Sequence, residues 1–152
     1  MGDINLIPKG EEMFSFRNIF VVLIAAGLLL TACGGQKATE VRITLTEFGT
    51  ESSITDFKVG VPYHFVVTNE GTVNHEIMIM SPLMPDQMGM SMEMGALDNI
   101  ALAMIPADEL TPGTTKSFDY TFTEPASAGS LEFACHTPGH YEAGMKLPIT
   151  VK

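Results

Sequence analysis

The chain has 152 residues, of which 45% are hydrophobic, and a formal net charge of −10 at neutral pH. This length predicts a single domain with enough apolar side chains to fill a core. From residue 34 onward, 15 acidic residues outnumber 6 basic residues. Such a surface is repelled by nucleic acid and by anionic lipids, so we expect neither as a partner.

Residues 1–33 are expected to be a secretion signal. The apolar run 19–30 follows Arg17 and is too short to cross a bilayer, which takes about 20 apolar residues. It ends in Leu-Thr-Ala-Cys33, which resembles the lipobox of bacterial lipoproteins and implies lipidation of Cys33. Met13 is the better start, because acidic residues precede the signal if Met1 is used. We therefore expect an extracytoplasmic protein on a lipid anchor, with a plain N-terminal anchor helix as the alternative.

Residues 34–40 are predicted to form a polar tether, and residues 41–152 the domain. Alternating apolar and polar residues, or short apolar runs between turn signals, predict seven strands. They are residues 41–48, 54–59, 63–68, 75–80, 116–122, 131–135 and 147–151. Seven short strands with little helix indicate an all-β fold, an antiparallel Greek-key β-sandwich.

Residues 81–113 are rich in proline and glycine and interrupt this pattern, although Ala96–Met104 could form one short helix or an irregular strand. A loop of this length often has a function. Seven methionines lie within the seventeen residues 78–94: Met78, Met80, Met84, Met88, Met90, Met92 and Met94. The first two are expected to pack within a strand. Thioethers favour Cu(I), so Met88, Met90, Met92 and Met94 are candidates for secondary Cu(I) binding; partner docking and simple packing are the alternatives.

Cys135, His140 and Met145 follow one another at intervals of five residues on one predicted loop. A thiolate, an imidazole and a thioether are three of the four ligands of a mononuclear copper site. Among the four histidines, His75 is the best fourth ligand, because it opens a predicted strand at an end of the sandwich. If Cys33 carries lipid, Cys135 is a free thiol in an oxidising compartment. Metal binding would explain such a thiol, and burial in the core is the plain alternative.

These features resemble the cupredoxins, the blue-copper family that includes azurin, auracyanin and plastocyanin. The Cys-x4-His-x4-Met spacing is similar to that of azurin and auracyanin, and residues 69–76 resemble the first ligand region of the family. The resemblance covers residues 41–152. It implies one type 1 copper ion bound by His75, Cys135 and His140, with Met145 as a weak axial ligand. It also implies a monomeric one-electron carrier that serves redox partners such as a cytochrome or a membrane oxidoreductase.

Other functions are less consistent with the sequence. A dinuclear copper centre needs two cysteines on the loop, and only His64 and His136 remain for any catalytic copper. Methionine is a poor zinc ligand, and no motif accompanies a Cys–His nucleophile pair. We therefore expect no enzymatic activity. A copper carrier or buffer that uses the Met-rich segment is the main alternative, and a metal-free β-sandwich lipoprotein is the second.

One pair of residues departs from the family pattern. Azurin and plastocyanin have Asn after the first ligand His and Ser or Thr after the ligand Cys, where this chain has Glu76 and His136. We hypothesise a Glu76–His136 contact that couples the site to pH through the imidazole. The alternative is that His136 points into solvent. Asn74, Glu76 and His136 are thus the candidates to support the ligands.

Overall fold

The computed structural model describes residues 36–84 and 97–152. The predicted signal with Cys33, and the four methionines Met88, Met90, Met92 and Met94, lie outside these residues and stay predictions. Within the described ranges, no helix is long and apolar enough to cross a membrane.

Nine strands form two sheets in the described part of the chain. They are β1 (Thr39–Leu45), β2 (Thr50–Ser52), β3 (Asp56–Phe57), β4 (Pro62–Asn69), β5 (Ile77–Met80), β6 (Ala103–Ile105), β7 (Thr115–Thr121), β8 (Ala126–Ala134) and β9 (Lys146–Val151). The first sheet has the order β2-β1-β4-β7, and the second has the order β3-β9-β8-β5-β6. The predicted β-sandwich is confirmed.

The sheets differ from the prediction in detail. Strand β2 was not predicted, and β6 overlaps a segment that the sequence left open between a helix and an irregular strand, because three residues are too few for a clear alternation. The pairs β1–β4 and β3–β9 are parallel, so both sheets are mixed rather than wholly antiparallel. Strand β1 begins at Thr39, within the predicted tether, and β5 begins at Ile77 rather than at His75.

The segment predicted as a helix or an irregular strand contains a tight turn followed by β6. In this turn the N–H of Ala101 donates to the carbonyl of Leu97 at 3.1 Å. The next N–H, that of Leu102, donates to the carbonyl of Ile79 at 2.8 Å, so the chain joins the edge of the second sheet at once. Pairing with β5 therefore replaces further helical turns.

The main core lies between the two sheets. In β1 and β4, alternate residues such as Val41, Ile43 and Phe65 are buried, as expected for strands with one face inward. The ring of Phe57 lies 4.9 Å from that of Tyr63 and 5.0 Å from that of Phe122, measured between centroids. Each large apolar side chain buried here contributes about 1.5–3 kcal/mol.

A second group of apolar side chains covers the other face of the second sheet. All four residues of β5 are buried, because Ile77 and Ile79 belong to the main core while Met78 and Met80 belong to this group. We name it the outer cluster; its buried members are Met78, Met80, Leu97, Ala134 and Tyr141, with Met104 packed against them. Met78 and Met80 therefore pack within a strand, as expected.

Candidate metal centre

The ligand loop follows β8 directly and returns to β9. Its ends are tied by two backbone hydrogen bonds: the N–H of Cys135 donates to the carbonyl of Met145 at 3.1 Å, and the N–H of Met145 donates to the carbonyl of His140 at 3.0 Å. Gly139 and Gly144 have φ values of 84° and 102°, which glycine adopts without steric strain. Cys135, His140 and Met145 are thus held within one closed loop.

His75 lies in the loop between β4 and β5, where its N–H donates to the carbonyl of Leu110 at 3.1 Å. Asn69, buried at the end of β4, organises this loop. Its side-chain amide donates to the carbonyls of Val73 and Leu110 at 2.8 Å each, and its Oδ1 accepts the N–H of Gly71 at 2.8 Å. The sequence marked Asn69 only as part of a turn, so this role was missed.

The imidazole of His75 packs against the backbone of Gly71. A Cβ at position 71 would lie 2.8 Å from Nε2 of His75, which is closer than real Cβ atoms approach other atoms. This Nε2 is buried, and no residue in the described ranges hydrogen-bonds to it. The ring is therefore held by packing, and its other nitrogen, Nδ1, faces the other predicted ligands.

Three of the predicted ligand atoms converge at one end of the sandwich. Nδ1 of His75 and Nδ1 of His140 are 3.2 Å apart, and Cys135 Sγ lies 3.9 Å and 3.6 Å from them, respectively. The centre of this triangle lies about 2.1 Å from each atom, close to the ~2.0–2.3 Å of metal–nitrogen and metal–thiolate bonds. In residues 36–84 and 97–152, no other three His, Cys, Asp or Glu residues form such a group.

The donor set fits one copper ion. A thiolate and two imidazoles in a trigonal arrangement are the strong ligands of type 1 copper. Met145 follows on the same loop, and its side chain is fully buried in the main core. Its role as the weak axial ligand stays a prediction.

Protonation of the metal-free site also suits metal binding. Burial raises the pKa of the Cys135 thiol, while hydrogen bonds with the Thr137 hydroxyl and with backbone N–H groups of Glu76 and Thr137 act to lower it. Burial, with a smaller contribution from His140, lowers the pKa of His75. The imidazole of His75 is therefore neutral at neutral pH and can bind a metal, whereas Cys135 must release its proton when a metal binds.

Glu76 and His136 do meet, but not through the imidazole. The carboxylate of Glu76 accepts the backbone N–H of His136 at 2.8 Å, because β5 and β8 are antiparallel and residue 76 lies beside residue 136. Burial raises the pKa of Glu76. The expected Glu76–His136 contact is therefore present, but it involves the backbone of His136 rather than the imidazole, and its coupling to pH stays a prediction. Asn74 is exposed.

The His136 ring is buried rather than in solvent, and it stacks on Tyr141 with ring centroids 4.4 Å apart. The Tyr141 hydroxyl donates to the buried carboxylate of Glu132 at 2.6 Å, and Lys146 Nζ lies 4.3 Å from the centre of the Tyr141 ring. Burial, together with this bond to Glu132, raises the pKa of Tyr141 to about 12. No motif in the sequence indicated this arrangement.

His140 is half-buried, and the ring of Phe48 meets it edge-on at a centroid distance of 6.0 Å. Phe48 is 60% exposed in the loop between β1 and β2. This loop is held by Glu47, whose carboxylate accepts both the N–H and the hydroxyl of Thr72 at 2.7 Å. Phe48 thus provides an apolar surface beside His140. His64, by contrast, pairs with Asp119 at 2.6 Å and is not part of the His75–Cys135–His140 cluster.

Sequence comparison relates the chain to two proteins. No model of a known protein family matches it. It is 32% identical over 93 residues to the copper-resistant cuproprotein CopI of Rubrivivax gelatinosus; the match covers 61% of this chain and 53% of that protein, or about half its length. It is 27% identical over 148 residues to CopI of Pseudomonas aeruginosa, covering 80% of each.

The fold is similar to solved structures of auracyanins. Reduced auracyanin of Roseiflexus castenholzii matches with a TM-score of 0.55 and 22% identity, over 78% of this chain and 99% of that one. Auracyanin A, a blue copper protein of Chloroflexus aurantiacus, matches with a TM-score of 0.55 and 15% identity, over 76% of this chain and 100% of that one. The predicted resemblance is confirmed: the chain has the cupredoxin fold, and its His75–Cys135–His140 cluster fits one type 1 copper ion.

Proposed function

We propose that this protein carries single electrons by means of one type 1 copper ion, outside the cytoplasm and on a lipid anchor at Cys33. The observation that carries the proposal is the triangle of His75, Cys135 and His140, whose centre suits one metal ion. Bound there, copper would supply the redox chemistry by cycling between Cu(I) and Cu(II).

The protein supplies a ligand frame that resists rearrangement. His75 is held by Leu110 and by packing on Gly71, while the backbone bonds of the ligand loop hold Cys135 and His140. A frame of this kind limits how far ligands move between the two oxidation states, which favours fast electron transfer. Cys135 is fully buried, so its sulfur is shielded from water and from other thiols.

Electrons are proposed to leave through His140. Its ring is half-buried at the surface, and the exposed ring of Phe48 extends the apolar area beside it. A redox protein such as a cytochrome or a membrane oxidoreductase would dock there, and the acidic balance of the chain favours a basic rim on that partner. The carrier itself is proposed to act as a monomer.

The test is a visible and EPR spectrum of the copper-loaded protein. We expect the intense thiolate-to-Cu(II) absorption of type 1 copper, its loss in Cys135→Ser, and its retention in the matched control Cys33→Ser. A copper complex of the unchanged protein without this absorption would contradict the proposal.

A role in copper handling is the second candidate, in which the protein carries or buffers copper. Two observations favour it: the similarity to two copper-resistant cuproproteins, and the methionines at positions 88, 90, 92 and 94. Titration of the reduced protein with Cu(I) separates the two functions. One tight equivalent that cycles reversibly supports electron transfer alone. Further exchangeable equivalents that disappear when those four methionines become leucine support copper handling.

A further inference from the structure

We propose a second, separate Cu(I) site on the outer face of the second sheet, formed by the thioethers of Met78 and Met104 and the imidazole of His136. It uses none of the ligands of the type 1 site and lies on the opposite face of β5 from the main core. It therefore goes beyond electron transfer and gives the protein a place to hold a second copper ion.

Strand register brings the two thioethers together. Met78 of β5 is paired with Met104 of β6 on one side and with Ala134 of β8 on the other. Residues directly opposite one another in an antiparallel pair have Cβ atoms about 5 Å apart on the same face. Met78 is fully buried in the outer cluster, and Met104 packs against it. The sulfurs of two neighbouring strands thus occupy one small region.

His136 lies on the same side of the sheet. It comes two residues after Ala134, and the bond from its N–H to Glu76 keeps it beside β5, diagonally across from Met78. Diagonal neighbours are within reach of long side chains. Its ring also stacks on Tyr141, another member of the outer cluster.

One ring nitrogen of His136 has no hydrogen-bond partner among the described residues. The residue is only 8% exposed, and its Nε2 is buried with no hydrogen bond to any residue in the described ranges. Buried polar atoms in native proteins are nearly always satisfied, and an ion bound by this nitrogen and the two thioethers on the same side of the sheet would satisfy it. Methionine side chains have three rotatable bonds, so Sδ can turn toward Nε2 without backbone movement.

The donors select a soft ion. Two thioethers and one neutral imidazole suit Cu(I), whereas Ca²⁺ and Mg²⁺ require oxygen ligands. The two buried carboxylates nearby are already engaged, since Glu76 accepts the N–H of His136 and Glu132 accepts the Tyr141 hydroxyl. A hard cation would have to compete with these hydrogen bonds for the carboxylate oxygens.

Met80 provides a matched control. It lies on the same strand and in the same cluster as Met78, and the two are 1% and 0% exposed. Its partner on β8 is Glu132, which places it farther from His136 than Met78 is. Met78→Leu and Met80→Leu should therefore disturb packing alike but differ in their effect on metal binding.

The experiment uses the full chain with its type 1 site loaded and reduced, and with Met88, Met90, Met92 and Met94 replaced by leucine. This protein, labelled with ¹³C at its methionine methyl groups and with ¹⁵N at its histidines, is titrated anaerobically with Cu(I) against a chromogenic Cu(I) chelator. We expect one further equivalent that shifts the methyl signals of Met78 and Met104 and the Nε2 signal of His136. Met78→Leu, Met104→Leu and His136→Gln should each weaken this binding at least tenfold, and Met80→Leu less than twofold.

No further equivalent in this background would overturn the second site, as would equal losses in Met78→Leu and Met80→Leu. Methyl shifts of Met78 and Met104 in the protein with an intact outer cluster test the second site even if a variant folds poorly. Absence of the type 1 spectrum would refute the proposed electron carrier without affecting these readouts, so the two proposals fail separately.

Discussion

Substitution of Gly71 by alanine tests whether packing against the backbone positions His75. The added Cβ would lie 2.8 Å from Nε2 of His75, 3.2 Å from Oδ1 of Asn69 and 3.3 Å from the carbonyl carbon of Thr46. Ordinary contacts between such atoms are about 3.5–4.0 Å, so one of these groups must move by roughly 0.7 Å. Asn69 is held by three hydrogen bonds and Thr46 presents backbone, so the His75 ring is the group that moves.

The expected loss of copper affinity follows from the displacement of the His75 ring. Overpacking of a filled site costs about 1–3 kcal/mol. Metal–ligand distances tolerate deviations of only about 0.2 Å, so a ring displaced by several tenths of an ångström no longer suits the centre of the triangle. If the whole cost falls on the bound state, copper affinity drops about 5- to 160-fold.

The assay is competition for Cu(II) against a chelator of known affinity, followed by the visible absorption of the thiolate complex, with urea unfolding of the metal-free variant alongside. Gly60→Ala is the control. Gly60 has a φ of 75° and open space around its Cβ position, and it precedes β4 at the end opposite Asn69, so alanine there strains the backbone away from the site. We expect it to lower stability and leave copper affinity unchanged. Wild-type copper affinity in Gly71→Ala would refute the reasoning.

Three further predictions concern residues around the site. Burial raises the pKa of Glu76, so the folded protein binds this proton more tightly than the unfolded chain and loses stability as pH rises from the ordinary carboxyl range through the raised pKa. Glu76→Gln should remove this loss in urea unfolding of the metal-free protein across that pH range. Tyr141→Phe leaves the buried Glu132 without its donor and should cost about 1–3 kcal/mol in urea unfolding at neutral pH. Phe48→Ala should leave the absorption unchanged and lower the rate of electron transfer to a cytochrome in stopped-flow experiments, because only apolar docking area is lost.

Each of these has a matched control. Glu76→Leu cannot accept the N–H of His136 and should be less stable than Glu76→Gln; equal stability would exclude that hydrogen bond as the support. Glu132→Gln in the Tyr141→Phe background removes the unpaired carboxylate and should recover part of the lost free energy of unfolding. No recovery would show that Tyr141→Phe destabilises the protein through packing alone. Val59→Ala, an exposed apolar residue in the turn after β3, should leave the electron-transfer rate unchanged. An unchanged rate in Phe48→Ala would remove this ring from the docking surface.

The fold and the strong ligands could be predicted because their signals are local. Alternation within β1 and β4 reflects one buried face of each strand. Cys135 and His140 lie on one short loop, so the interval between them can be read directly from the sequence. His75 required a comparison with the family pattern, since a histidine near a strand end is not distinctive by itself. Strands of two or three residues, such as β2 and β3, leave too little alternation to place their bounds.

The residues that support the ligands could not be predicted in the same way. The bonds of Asn69 join it to residues up to 41 positions away, and Tyr141 reaches Glu132 only because the loop folds back over β8. The Glu76–His136 contact was expected between side chains, but strand register directs the carboxylate to a backbone N–H. Such contacts depend on the arrangement of distant segments, which residue types alone do not encode locally.

The anchoring of His75 through Asn69 has a consequence for the whole domain. Asn69 belongs to β4 of the first sheet, whereas Cys135 and His140 follow β8 of the second. A metal ion bound by His75, whose loop is held by Asn69, and by Cys135 and His140 is therefore a cross-link between the layers of the sandwich. Its binding free energy resists sliding of one layer over the other, and a tightly bound ion raises the free energy of unfolding of the entire domain. Removal of the metal should accordingly weaken protection from hydrogen exchange in both sheets rather than in the ligand loop alone.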